Sequence, residues 1–158
     1  QFSNMPDRGK EEEKAKLESL EQQYPALEPS GVVYKFPEDL AALDEMNVYV
    51  HIFDFTDGEE KNVWGNKALC SLMGVSLEVL QKIPLTDCSE TLRAWQRSLL
   101  QNIQIDKRTE TSMKTISPGG KTISLFYTFR PMELLFPGAK EPRTVVFSTS
   151  LPVKNDSR

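Results

Sequence analysis

Residues 108–153 constrain the fold more than any other part of the sequence. They carry three strand-forming runs in direct succession, "RTETSMKTIS", "TISLFYTFRPMEL" and "RTVVFSTSLPV". The first two are separated by "PGGK" and the last two by "FPGAKEP". Connections this short cannot cross over a sheet, so the three runs must be antiparallel neighbours. In the middle run Ile123, Leu125, Tyr127 and Phe129 fall on one face. Two further runs come earlier: "VYVHIFDF" over 48–55 and "KNVWG" over 61–65, joined by the turn signal Thr56-Asp57-Gly58. An isolated hairpin is marginal in water, so this one is predicted to join the later three. The expectation is an α+β fold: a five-stranded antiparallel sheet with short helices over one face and an N-terminal flanking helix.

Between the hairpin and the meander the chain changes conformation repeatedly, in "VWGNKALCSLMGVSLEVL". Asn66 stands where a helix N-cap belongs, its side chain free to accept a backbone N–H. Ala68, Leu69, Leu72 and Met73 make one helical face, and Gly74 occupies the position that favours a left-handed residue. Ser76 caps a second short helix with Leu77 and Leu80 inward. Pro84 breaks the chain again, and "SETLRAWQRSLLQNIQ" then reads as a longer helix over 89–104, with Leu92, Trp95, Leu99 and Ile103 on one side. Ahead of the first strand, "FPEDLAALDEMN" predicts another helix. Pro37, Glu38 and Asp39 suit its first turn, and Leu40, Leu43 and Met46 form its apolar stripe.

The N-terminal part divides into a disordered or cloning-derived tail over 1–10 and a flanking helix with linker over 11–36. The main domain follows over 37–152 and a C-terminal tail over 153–158. The start at Gln1 rather than Met suggests a fragment of a longer protein. In "EEEKAKLESLEQQYPAL", Leu17, Leu20, Tyr24 and Leu27 are spaced like a heptad seam, too short for a coiled coil on its own. Two readings stay open: a helix that packs on its own domain, or a homodimer seam through Leu17, Leu20 and Tyr24.

Composition narrows the function. With 19 Lys and Arg against 23 Asp and Glu, the net charge is -4 and the cations are scattered, which argues against nucleic acid and against a polybasic membrane contact. No apolar run approaches a membrane span. Cys70 and Cys88 are too few for a disulfide framework, which points to a reducing, cytoplasmic setting. Catalysis and metal binding find no support: the single histidine, His51, has no evident nucleophilic partner, and one His with two distant Cys makes no zinc site. The expectation is no catalytic residue, no metal and no enzyme.

The order of elements together with "VYVHIFDFTDG", "VWGNKALCSLMG" and "VSLEVL" resembles a PAS domain over about 38–152. Asn66, Ala68, Gly74, Ser76, Glu78 and Leu80 match the family's pattern, and Gly119-Gly120-Lys121 its Gly-rich turn. The resemblance implies short helices bent around a pocket and a regulatory role in a larger signalling protein, sensing a ligand or mediating contact. The effector in the same chain would be a kinase, cyclase, phosphodiesterase or transcription factor. The cofactor is left unknown. The flavin-binding subgroup's Asn-Cys-Arg core is missing from "QKIPLTDCSETLRAW", its strand Gln is replaced at about Ser150, and haem would want a His on the long helix, which has none. Pocket candidates are Leu72, Leu80, Leu92, Trp95, Phe126, Thr128, Phe147 and Thr149, which equally could simply fill a core. The rivals are a pure protein-interaction PAS domain with a filled core, and a small α+β enzyme that shares only the element order.

Overall fold

The computed structural model describes residues 11–18, 31–55, 61–82, 90–116 and 118–153. In chain order the elements are helix α1 over 11–18, strand β1 (Val33–Lys35), a 3-10 turn (Glu38–Leu43), β2 (Tyr49–Asp54), β3 (Lys61–Gly65), α2 (Lys67–Met73), α3 (Leu77–Leu80), α4 (Glu90–Gln104), β4 (Glu110–Ile116), β5 (Ile123–Leu135) and β6 (Arg143–Pro152).

The β5–β6 hairpin is the spine, paired from Leu125 opposite Pro152 to Leu134 opposite Arg143. Beyond β6 lies β2, with Tyr49 opposite Ser150 and Phe53 opposite Val146, and β3 closes that side against β2. Two strands share the other flank of β5. β4 runs antiparallel against 123–129, and β1 runs parallel against 133–135. Pro131, whose ring nitrogen has no hydrogen to donate, stands between the two ladders. The three C-terminal runs and the 48–65 hairpin thus form the expected antiparallel meander. The sheet has a sixth strand, however: residues 33–35, within the expected linker, pair in parallel with β5.

The sheet is buried on both faces, and each face has its own apolar cluster. On one side Val50, Ile52, Phe126, Met132, Val145 and Phe147 pack with Leu40, Leu43 and, from α1, Leu17. On the other, Phe53, Leu125, Tyr127, Phe129 and Val146 pack with Ile103 of α4, and Leu72 and Leu99 lie at the margin. We call these the outer and the inner face. Full burial of a side chain such as Phe126 or Phe147 contributes about 2–3 kcal/mol each.

Local chemistry fixes the short elements. The segment after Pro37 is a six-residue 3-10 turn rather than a longer α-helix; Leu40 N–H bonds the Pro37 carbonyl and Asp44 N–H the Ala41 carbonyl. Leu40 and Leu43 are fully buried, as the stripe requires. Asn66 caps α2 by accepting from Leu69 N–H, Gly74 ends it at φ 71°, and Ser76 caps α3 by accepting from Val79 N–H. Gly65 lets the two helices pack close: a Cβ there would sit 2.6 Å from Leu80 Cδ2 and 2.7 Å from Leu69 Cδ2, and those leucines would have to shift.

Asn66 does more than cap. Its Oδ1 also accepts from Val50 N–H at 3.1 Å, and its Nδ2 donates to the Leu43 and Val48 carbonyls at 3.1 and 2.8 Å. The side chain is fully buried. Asn66→Ala would strand four buried backbone groups and is expected to cost about 3–4 kcal/mol. Urea unfolding of the variant measures this, and a loss below about 1 kcal/mol would mean that water replaces the amide.

Candidate functional site

The inner face places four polar side chains among its aromatics. His51 of β2 points to this face, half-buried, with Phe53 beside it at a ring-centroid distance of 4.0 Å. Its Nε2–H donates to Asn62 Oδ1 at 2.7 Å; the orientation of that amide follows from Asn62 Nδ2, which donates to the Leu80 carbonyl at 3.1 Å. The three residues tie β2, β3 and α3 together. Across the sheet His51 faces Ser148 and Tyr49 faces Ser150, both serines buried. Ser148 Oγ has no hydrogen-bond partner. Tyr127 and Phe129 stack with planes 2° apart.

Burial governs the charge state of this face. It lowers the His51 pKa to about 4, against the opposing effect of the Asn62 hydrogen bond, and the Lys114 charge lowers it further. Burial also pushes the Tyr127 hydroxyl up to about 12. At neutral pH both are uncharged, so the arrangement offers neutral donors and acceptors, not a proton shuttle. Among the described residues no group of three or more His, Cys, Asp or Glu is placed to hold a metal.

The pocket candidates do not assemble on one face. Leu72 and Leu80 lie with α2 and α3; Leu72 is half-buried against the inner cluster and Leu80 is 2% exposed. Phe126 and Phe147 belong to the outer cluster, and Thr128 and Thr149, opposite each other in the register, share that face. The side chains turned toward α4 are their neighbours along each strand: Leu125, Tyr127, Phe129, Val146, Ser148 and Ser150. The side chains of Leu92 and Trp95 lie outside the described residues, as do Leu20 and Tyr24. Leu17 is 1% exposed and packed into the outer cluster of its own chain. Sequence reading passed over Asn62 and Ser148. A polar residue inside each of two strand-forming runs was the available signal.

A second polar arrangement lies at the end of the domain. Asp54 is buried and accepts from Arg143 at 2.9 Å and from Gln104 Nε2 at 3.0 Å, while Gln104 Oε1 accepts from Phe55 N–H at 2.8 Å. It joins β2, β6 and α4, and its charge is met within the chain.

No family model matches the sequence, and no curated protein does. The fold, in contrast, is similar to many solved structures. The PAS domain of BvgS from Bordetella pertussis is 13% identical with a TM-score of 0.54, over 75% of this chain and 87% of that one. The PAS domain of an HTR-like protein from Haloarcula marismortui is 11% identical with a TM-score of 0.54, over 72% and 92%. A LOV protein of Rhodobacter sphaeroides is 13% identical with a TM-score of 0.53; 74% of this chain covers 65% of that protein, just under two thirds of its length. The fold of this chain is therefore that of a PAS domain. No helix among the described residues is long and apolar enough to cross a membrane.

The lowered His51 pKa sets a pH dependence. The unfolded state takes up a proton near pH 6.5 and the folded state only near 4. The contribution is therefore fully present above pH 6.5 and lost as pH falls toward 4, on the order of 2 kcal/mol. In urea unfolding, His51→Gln should flatten this limb relative to the unmodified chain; equal slopes would show that His51 is not the group responsible.

Proposed function

We propose that this chain is a regulatory PAS module that senses a small ligand, mediates self-association, or both, and thereby controls an effector domain of the same protein. The observation that carries this reading is the two-sided sheet. Helix α4 and Leu72 of α2 lie on the inner face and the flanking helix α1 on the outer, and the same strands serve both, with Tyr127 and Phe129 inward and Thr128 outward along β5. A change in packing on the inner face has a one-layer path to Leu17 and so to the flank, where favouring one of two arrangements is enough to regulate. The ligand would be small and neutral or weakly polar, meeting Ser148 and His51 among aromatics. The acidic charge supports a partner other than nucleic acid for this domain, and the two scattered cysteines support a cytoplasmic setting.

The aromatic filling of the inner face favours a second reading, an interaction module without ligand. Native mass spectrometry separates the two: a bound small molecule supports sensing, and a bare mass supports interaction. In the full-length protein, Leu17→Ala should loosen α1 by about 2–4 kcal/mol and shift the effector's output. If the output stays unchanged with this variant and also with Ser148→Phe, the regulatory reading fails. Self-association through the N-terminal segment is tested by Leu20→Glu, which leaves Leu17 in the core. The variant should sediment at half the mass of the unmodified chain if the seam is real.

A further inference from the structure

The outer face carries polar groups of its own. Under α1, between that helix and the junction of β4 with β5, lies a cavity of about 450 Å³. Lys14 and Glu18 border it from the helix, Glu110 and Arg130 from the strands, and Thr128 forms part of its floor. Thr128 is only 5% exposed, and that remaining surface opens into this cavity. Directly across the register from it is Thr149, fully buried, whose Oγ1 has no hydrogen-bond partner. On the sheet-facing side of α1, one turn before Leu17, Glu13 is 1% exposed; its Oε1 has no hydrogen bond and lies 3.5 Å from Lys16 Nζ.

Neither Glu13 nor Thr149 borders the cavity, whose own lining is polar, with Lys14, Glu18, Glu110, Thr128 and Arg130 among it. An apolar occupant would take water from these groups and give them no partner. A cavity of this size suits a small molecule, and its rim carries two cations and two anions. Glu110 is held by Arg108 at 3.2 Å, and Arg130 already has a partner within the chain, but its guanidinium has five donors to share.

We infer that this outer-face cavity is a binding site for a small zwitterion of the amino-acid class. Its carboxylate lies toward Lys14 and Arg130, its ammonium toward Glu18 and Glu110, and its polar body over the Thr128 hydroxyl. The site is on the opposite side of the sheet from the inner polar cluster and stands whether or not that cluster binds anything. Because one wall is α1, occupancy would hold the flanking helix on the sheet.

The test is titration of the ¹⁵N-labelled 158-residue chain with L-glutamine to millimolar concentration. The amides of Lys14, Thr109, Thr111 and Thr128 should shift while those of His51 and Ser148 stay in place. Thr128→Val keeps the strand and removes the hydroxyl; Lys14→Ala alters an exposed helix position. Each should weaken binding about tenfold or more. The corresponding amine without the carboxylate, and the acid without the ammonium, should each bind more weakly than the zwitterion. The inference is overturned if none of these amides moves with L-glutamine, L-glutamate or L-lysine. Unchanged affinity in Thr128→Val, or shifts centred on His51 and Ser148, would overturn it as well.

Discussion

One side-chain amide holds the domain's parts in register. Asn66 lies where the first hairpin ends and the first short helix begins. It bonds the end of the 3-10 turn, both strand-edge groups at the start of β2 and the first turn of α2. An asparagine can make about four such bonds, and here all are made to backbone. Because that backbone belongs to three different elements, none can move without the others. The sheet, the turn before it and the helices after it are thereby one cooperative unit, not a sheet with loosely attached loops.

On that frame the two faces have different chemistry. The inner face is aromatic, with a neutral histidine and a serine set into it. The outer face is aliphatic around Phe126 and Phe147, with threonines under α1 and charge at the rim. The division follows from the pleat: successive residues of β5 and β6 alternate between faces, so Tyr127 and Thr128, or Ser148 and Thr149, report to different surroundings. A single strand can in this way serve two sites without either contacting the other.

The sequence was informative where chemistry is local. The Asn66 and Ser76 caps, the Gly74 stop, the hairpin over 48–65 and the three-strand meander follow from residue types and loop lengths, and the structure has them. It was uninformative where position depends on distant partners. Nothing in "GVVYKF" announces a parallel strand, because its pairing partner lies a hundred residues away. Which side of "SLFYTF" and "VVFSTS" meets the helix α4 is not legible, because both sides of those strands are buried and carry similar residues. The alternation that normally fixes which side faces the core is then missing. That is why Phe126, Thr128, Phe147 and Thr149 were grouped with Leu72 and Leu80, from which the sheet itself separates them. Leu17 shows the same limit: a heptad spacing cannot say whether its leucine meets another copy or its own sheet.

The arrangement around β5 also decides how the domain can be recognised. One flank of it is covered by two strands, β4 of seven residues and β1 of three, which leave Pro131 between them. At the opposite rim the Val63 carbonyl is occupied by Gln81 Nε2 at 2.8 Å. Of the strands on the sheet's borders, β1 and β3 have three and five residues, and β4, with seven, is the longest run against which an extended peptide or another chain's strand could pair. Elsewhere, contacts fall to side chains on helices and turns, whose identity can change without disturbing the hydrogen-bonded framework.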